Sequence, residues 1–244
     1  RRETPLVLIA ALLWVPGVGG EAFLSDDIGH LATWGQPPFA QIWQWFYTQD
    51  FGYYRPLTAL LWNLEYAVWG LNPIGYQLVN LVLHTGCALL MRQLGLLLFG
   101  PNRIGLCAAL VFLFLPGHIF GVLMISALTG LVTSLCYLAA VVAYLHGRTG
   151  SIAAQVAGPL FFLLALLGKE LALSLPILIG LWEWVAQCSE GRTTLARWLK
   201  ACWPYGLVLA LYLALRWALF GQMPHSPLHA NIDPLRLAIN TATY

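Results

Sequence analysis

Seven stretches of this chain are apolar over most of the length a bilayer asks of a helix: residues 5–20, 73–98, 104–116, 129–146, 152–168, 171–187 and 201–220. A spanning helix takes about 20 mostly apolar residues, so 104–116 and 152–168 are short for that task. Only 9% of residues are charged and 59% are hydrophobic, against roughly 25% charged in an ordinary soluble domain. The mean hydropathy is +0.73. So little charge cannot solvate a globule, and lipid has to be the solvent for much of the surface. The pattern predicts an all-α polytopic membrane protein of about seven transmembrane helices, with residues 1–244 as a single transmembrane domain. Abundant Trp and Tyr fit the headgroup boundary, where these side chains gather.

The long connection at 21–72 is rich in Trp, Pro and Gly. It is too long for a structureless loop and is expected to carry short amphipathic helices near 39–47 and 56–69, lying at the membrane surface. Arg1-Arg2-Glu3 ahead of the first apolar run reads as the flank of an uncleaved first span. With the N-terminus inside, eight of the twelve basic residues fall inside, and seven of the ten acidic residues fall outside with Arg55, Lys169 and Arg236. Short inner loops rich in Lys and Arg are what insertion favours. This places 21–72 and a tail at 221–244 on the extracytoplasmic side of a membrane, with a bacterial inner membrane expected. The five cysteines lie mostly in apolar stretches, without a CxxC pair, and read as small buried hydrophobes. A net charge of +2 and the lack of a basic run with interleaved aromatics argue against a nucleic-acid partner.

The outer end collects the residues that can do chemistry. Adjacent carboxylates Asp26 and Asp27 suit a general base with an orienting or metal-binding neighbour; they equally suit the cap of a surface helix beginning at Ser25. Arg55, behind Tyr53-Tyr54, can grip a phosphate with its planar fork or meet a lipid headgroup. Lys169 and Glu170 break a run with no other charge from Ile152 to Trp182, and a snorkelling Lys with a neighbouring Glu is the plainer account. Asn80 and His84 share a helix face at i and i+4. His84 would sit about 16 Å deep at 1.5 Å per residue, where an ionisable group needs a cavity or a partner. His30 and His118 join this set by position alone, and Glu183 and Arg216 read as interfacial or paired within the bundle. Walker, GxGxxG, HExxH and GxSxG patterns do not occur, which leaves soluble nucleotide-binding and hydrolase chemistries without support.

The order of these motifs resembles a known family. Ser25-Asp26-Asp27, Tyr53-Tyr54-Arg55-Pro56, Trp69-Gly70-Leu71-Asn72-Pro73, Asn80 with His84, Pro116-Gly117-His118 and Gly168-Lys169-Glu170 follow the membrane part of GT-C glycosyltransferases. The likeness is to the polyprenyl-phosphate-sugar-dependent O-mannosyltransferase-like branch, whose members often carry tetratricopeptide repeats, and it runs over about residues 5–187. It implies transfer of a sugar from a polyprenyl-phosphate donor to an acceptor at the extracytoplasmic face. It implies Asp26 or Asp27 as general base, and Arg55 and Lys169 as cations for the departing lipid phosphate. Tyr54, Asn80, His84, His118 and Glu170 would shape the substrate pocket. A divalent cation is a possible cofactor on this likeness, and 1–244 would be the N-terminal part of a longer membrane domain. The chain departs from the family pattern at Gln77, where a His is usual, at Phe120, where an acid is usual, and over Ser126-Ala127-Leu128-Thr129-Gly130, where a charged stretch is usual. Those departures keep open a second reading, a catalytically inactive structural subunit held by partner membrane subunits through its small and aromatic residues. A transporter is the third, without a repeated half to support it.

Overall fold

The computed structural model describes residues 3–19, 23, 25–35, 44, 46, 54–101, 103–115, 117, 119–189, 191 and 194–220, with the side chains of 25, 26, 119 and 120 left aside. The described residues form helices and their connections, with no strand among them. In chain order they are α1 (Thr4–Ala11), α2 (Ser25–His30), α3 (Pro56–Trp69), α4 (Pro73–Phe99), α5 (Ile104–Phe114), α6 (Ile119–Leu123), α7 (Leu128–Arg148), α8 (Ile152–Gly168), α9 (Leu175–Ser189) and α10 (Leu195–Phe220). Tighter 3-10 turns extend α1 to Gly17 and lead into α7 at Ile125 and into α9 at Glu170, and a π-helical turn, Leu31–Gly35, follows α2.

Among the described residues, four helical segments are long and apolar enough to cross a membrane: Pro73–Phe99, Ile125–Arg148, Glu170–Ser189 and Leu195–Phe220. The expectation of seven full spans is therefore corrected. Thr4–Gly17, Ile104–Phe114 and Ile152–Gly168 are apolar but shorter. The α5 helix stops early for a local reason: Leu115 precedes Pro116, and a residue before proline is pushed out of the helical region. Leu115 is extended, with ψ 122°. Less than half of each full-length span is buried, from 17% for the last to 44% for Ile125–Arg148, so apolar faces remain turned outward as lipid-exposed helices require.

Sharp caps set the boundaries of the longest helix. Pro73 opens α4 and the Asn72 side chain accepts the Ile74 amide at 3.1 Å, a favoured start; Gly100 ends it with φ +77°. The α5 helix returns against it so closely that a Cβ on Gly95 would run into the Cα of Gly105, the close approach that small residues permit in lipid. Three apolar clusters are strung along α4 and α7: one joins α1, α4 and α5, one joins the α2 region, α3, α4 and α7, and one joins α7 to α10 with Tyr54.

The stretch expected as a long outer loop, 21–72, carries helices among its described residues. Residues 25–35 are helical, which was not anticipated as a full segment, and α3 stands where the 56–69 helix was expected. The 39–47 helix lies outside the described residues apart from Gln44 and Phe46, and so does the 221–244 tail. The α3 helix is amphipathic in an inverted sense. Thr58, Asn63 and Glu65 are buried beside Trp62, while Leu64, Val68 and Trp69 are exposed. Asn63 donates to the Trp34 and Gly35 carbonyls at 3.3 and 3.1 Å, which hooks the turn after α2 onto α3.

Glu65 has no such partner. It is 7% exposed, and neither carboxyl oxygen has a hydrogen bond among the described residues. Burial pushes its pKa up to about 8. Between its ordinary value of 4.5 and 8 the unfolded chain gives up a proton that the folded chain keeps, so stability falls as pH rises through that window and levels off above it. The upper bound on the loss is about 5 kcal/mol. Thermal melts in detergent should show wild type weaker at pH 8 than at pH 5, and Glu65→Gln should remove that contribution. An unchanged pH dependence in the Gln variant would rule out Glu65 as its source.

Candidate functional site

Charges gather at two ends of the bundle. At one end Arg92 pairs with Glu3 at 3.5 Å and Arg148 with Glu183 at 3.2 Å. At the other, Glu170 takes Arg55 at 3.0 Å on one oxygen and Arg216 at 3.8 Å on the other. The two-ended grouping read from the sequence is thus visible in which partners meet. Arg216, expected to be paired within the bundle, is 2% exposed and lies over the Tyr54 ring at 5.8 Å.

A cavity of about 400 Å³ opens at the Glu170 end. Its walls come from His30 of α2, Arg55 ahead of α3, His84 of α4, Phe112 of α5, Lys169, and the stretch that starts α7, where Ser126, Thr129 and Ser134 contribute hydroxyls. Of the residues expected to form a site, Arg55, His84 and Lys169 meet here across a large separation in sequence.

Local packing places each of them. Gly168 ends α8 against α7, where a Cβ would come within 2.6 Å of the Thr133 hydroxyl. Thr58 donates to the Gly168 carbonyl at 3.1 Å, and the chain turns extended at Lys169. Lys169 therefore emerges at the junction of α3, α7 and α8, facing the cavity. Burial, and then the neighbouring Arg55, hold its pKa below the ordinary lysine value, with Glu170 opposing them. Arg55 is aimed by Glu170, whose Oε2 accepts from both Nε and Nη2 at 3.3 and 3.0 Å. His84 is fixed by Leu113, whose carbonyl accepts from Nε2 at 3.2 Å and from Trp14 Nε1 at 3.1 Å. A carbonyl only accepts, so the neutral ring carries its proton on Nε2 and turns Nδ1 into the acceptor. Phe112 stacks on the same ring at 5.0 Å.

The other expected residues sit behind the walls. Tyr54 is 1% exposed, and its hydroxyl donates to the Phe46 carbonyl at 3.0 Å. Glu170 backs Arg55. Asn80 donates to the Met124 and Val122 carbonyls at 2.8 and 3.4 Å. Asp27, 1% exposed, accepts the Ser126 amide at 2.7 Å. The Asp26 side chain, Tyr53 and His118 lie outside the described residues.

Sequence reasoning marked Gln77, Ser126 and Thr129 only as departures from the resembled pattern and passed over Ser134; Gln77 accepts the Gly19 amide at 2.6 Å and donates to the Leu123 carbonyl at 3.1 Å. Gln77 lies one turn before Asn80 on the same helix. His30 earns a place that position alone could not give it, stacked on Trp34 at 4.8 Å and edge-on to Trp62 at 5.3 Å. Among the described residues no three His, Cys, Asp or Glu side chains come together. The charged lining of the cavity is cationic, a donor set that suits an anion rather than a divalent metal.

The chain is similar in sequence to protein O-mannosyl-transferases. It is 34% identical to Tmtc1 of Drosophila melanogaster over 137 residues, 54% of this chain and 16% of the relative. With tmtc2 of Xenopus laevis it shares 32% over 170 residues, 65% of this chain and 17% of the relative. With human TMTC2 it shares 33% over 106 residues, 43% of this chain and 13% of the relative. The chain thus spans about a sixth of the length of the first two. These relatives are animal proteins and lend nothing to the expectation of a bacterial membrane. No family model matches the chain, and no solved structure matches it.

Proposed function

We propose that this chain is the sugar-transferring membrane part of a glycosyltransferase that uses a polyprenyl-phosphate-linked sugar. The observation that carries the reading is the convergence of Arg55 and Lys169 on one cavity, with Glu170 as the carboxylate aiming Arg55. Two cations beside a partly apolar cavity at the end of a membrane bundle match a substrate whose lipid stays in the bilayer and whose phosphate does not. The relatives' names supply the finer terms: mannose as the sugar and a protein hydroxyl as the acceptor.

On this reading the acceptor oxygen forms a bond to the anomeric carbon as that carbon's bond to the phosphate oxygen breaks. Arg55 and Lys169 take up the negative charge on the leaving lipid phosphate. The serine and threonine hydroxyls and the two imidazoles offer hydrogen bonds to the sugar. The acceptor's proton goes to an acidic residue of the first outer segment, and Asp26 takes that role. The end that holds the cavity faces the extracytoplasmic or luminal side, away from the basic inner loops.

The test is transfer of labelled sugar from a polyprenyl-phosphate donor to a hydroxyl-bearing peptide, using protein in liposomes. Wild type should turn over and Asp26→Asn should not. A second reading has one observation behind it. The Ser126–Gly130 wall carries no charge where relatives of the resembled family carry several. A protein that binds polyprenyl phosphate, transfers no sugar and co-purifies stoichiometrically with partner subunits would establish that inactive-subunit reading instead.

A further inference from the structure

We infer that Asp27, Gln77 and Asn80 form a clamp that holds residues 122–126 as the cavity wall, so that Asp27 is a positioning residue acting through Ser126 and not the base. Its effect on turnover rests on the transfer reading above; its effect on the backbone does not.

The segment from the end of α6 into α7 has backbone groups that helices on either side cannot satisfy. Buried backbone groups need partners, and three side chains supply them. Asn80 takes the Val122 and Met124 carbonyls, Gln77 takes the Leu123 carbonyl, and Asp27 takes the Ser126 amide. All three side chains are at most 1% exposed. Gln77 also grips Gly19 through its other amide atom, which ties the turn after α1 to the same wall. Two residues of the held segment and its continuation, Ser126 and Ala127, line the cavity, while none of the three clamping side chains does.

Asp27 is well suited to this work. A carboxylate at the start of a helix is favoured by the local amides, and the charge-assisted bond to Ser126 joins parts of the chain 99 residues apart. A general base must reach the proton it removes, and Asp27 would first have to give up that bond and its burial. Both Gln77 bonds use its amide, a donor on one atom and an acceptor on the other.

Asparagine separates the two roles, because it keeps the Oδ1 acceptor and loses the basicity. In nanodiscs, Asp27→Asn should keep kcat/KM within about fivefold of wild type, while Asp27→Ala should lose about 10- to 100-fold, the scale of an unmade buried hydrogen bond. Amide hydrogen exchange over 122–128 should stay slow in wild type and Asp27→Asn and speed up about 10-fold or more in Asp27→Ala. Should Asp27→Ala fail to fold, Gln77→Glu replaces it: this variant keeps the acceptor for Gly19, turns an oxygen toward the Leu123 carbonyl, and should loosen the same peptide. A loss of about 10²-fold or more in Asp27→Asn, with 122–128 still protected, would make Asp27 the base and overturn the assignment. Exchange unchanged in both Asp27→Ala and Gln77→Glu would overturn the clamp. If wild type transfers no sugar, the transfer reading fails by itself and exchange alone decides the clamp.

Discussion

Sugar transfer by the Arg55→Ala protein is expected to fall by about 10²- to 10³-fold, the usual cost of removing one preorganised group from developing charge. Arg55 lines the cavity and is aimed there by Glu170 through two N–H groups on one carboxyl oxygen. The second oxygen of Glu170 faces Arg216 at 3.8 Å, so the carboxylate sits between two guanidinium groups and cannot follow Arg55 freely. Arg55→Lys should recover only part of the loss, since an ammonium cannot present the same planar pair of donors. Because charge builds on the phosphate as the sugar leaves, the loss should appear more in kcat than in the dissociation constant for polyprenyl phosphate. Transfer rates and donor binding measured on one liposome preparation decide it. Wild-type rates in Arg55→Ala would remove the phosphate role.

A large effect on stability is expected at the opposite end. Glu183, 3% exposed, receives the Tyr144 hydroxyl, the Gln187 amide at 3.0 Å and Arg148 Nε at 3.2 Å. Gln187 in turn accepts the Thr194 amide at 2.9 Å, which ties α7 and α9 to the start of α10. Replacing Glu183 by Leu leaves the Tyr144 hydroxyl and one side of Arg148 without their partner. Breaking a buried pair from one side costs about 3–5 kcal/mol; with the Arg148 side chain 26% exposed, water offsets part of that and about 2–3 kcal/mol is expected. A thermal melt in detergent should show the drop, while polyprenyl-phosphate affinity per folded molecule stays within about twofold. A melt equal to wild type would mean that the network adds nothing to the fold.

Much of the architecture was legible because lipid simplifies the rules. Long apolar runs had to become helices, and α4, α7, α9 and α10 fall close to the expected positions. The shorter α5 and α8 also fall within two residues of their expected bounds, with Leu115 ahead of Pro116 setting the end of α5. Within 21–72 the 56–69 helix was legible and the 25–35 segment was not; α3 buries Thr58, Asn63 and Glu65 beside Trp62, unlike a surface helix on a water-soluble core.

The site divides in the same way. Arg55, His84 and Lys169 were readable as costly residues for their surroundings, because an ionisable group in a charge-poor chain has to be used or paired. Their separate duties were not readable. Asp27 and Asn80 look like substrate groups in the sequence, yet their partners are backbone atoms of 122–126. Arg55 meets a carboxylate 115 residues away. By itself, the sequence determined that the chain lives in a membrane and that its charges sort to two ends, since these depend on local hydropathy and charge. Only the tertiary structure decided which polar residues face the cavity and which build its wall, because that depends on which buried backbone groups need a partner once the helices have packed.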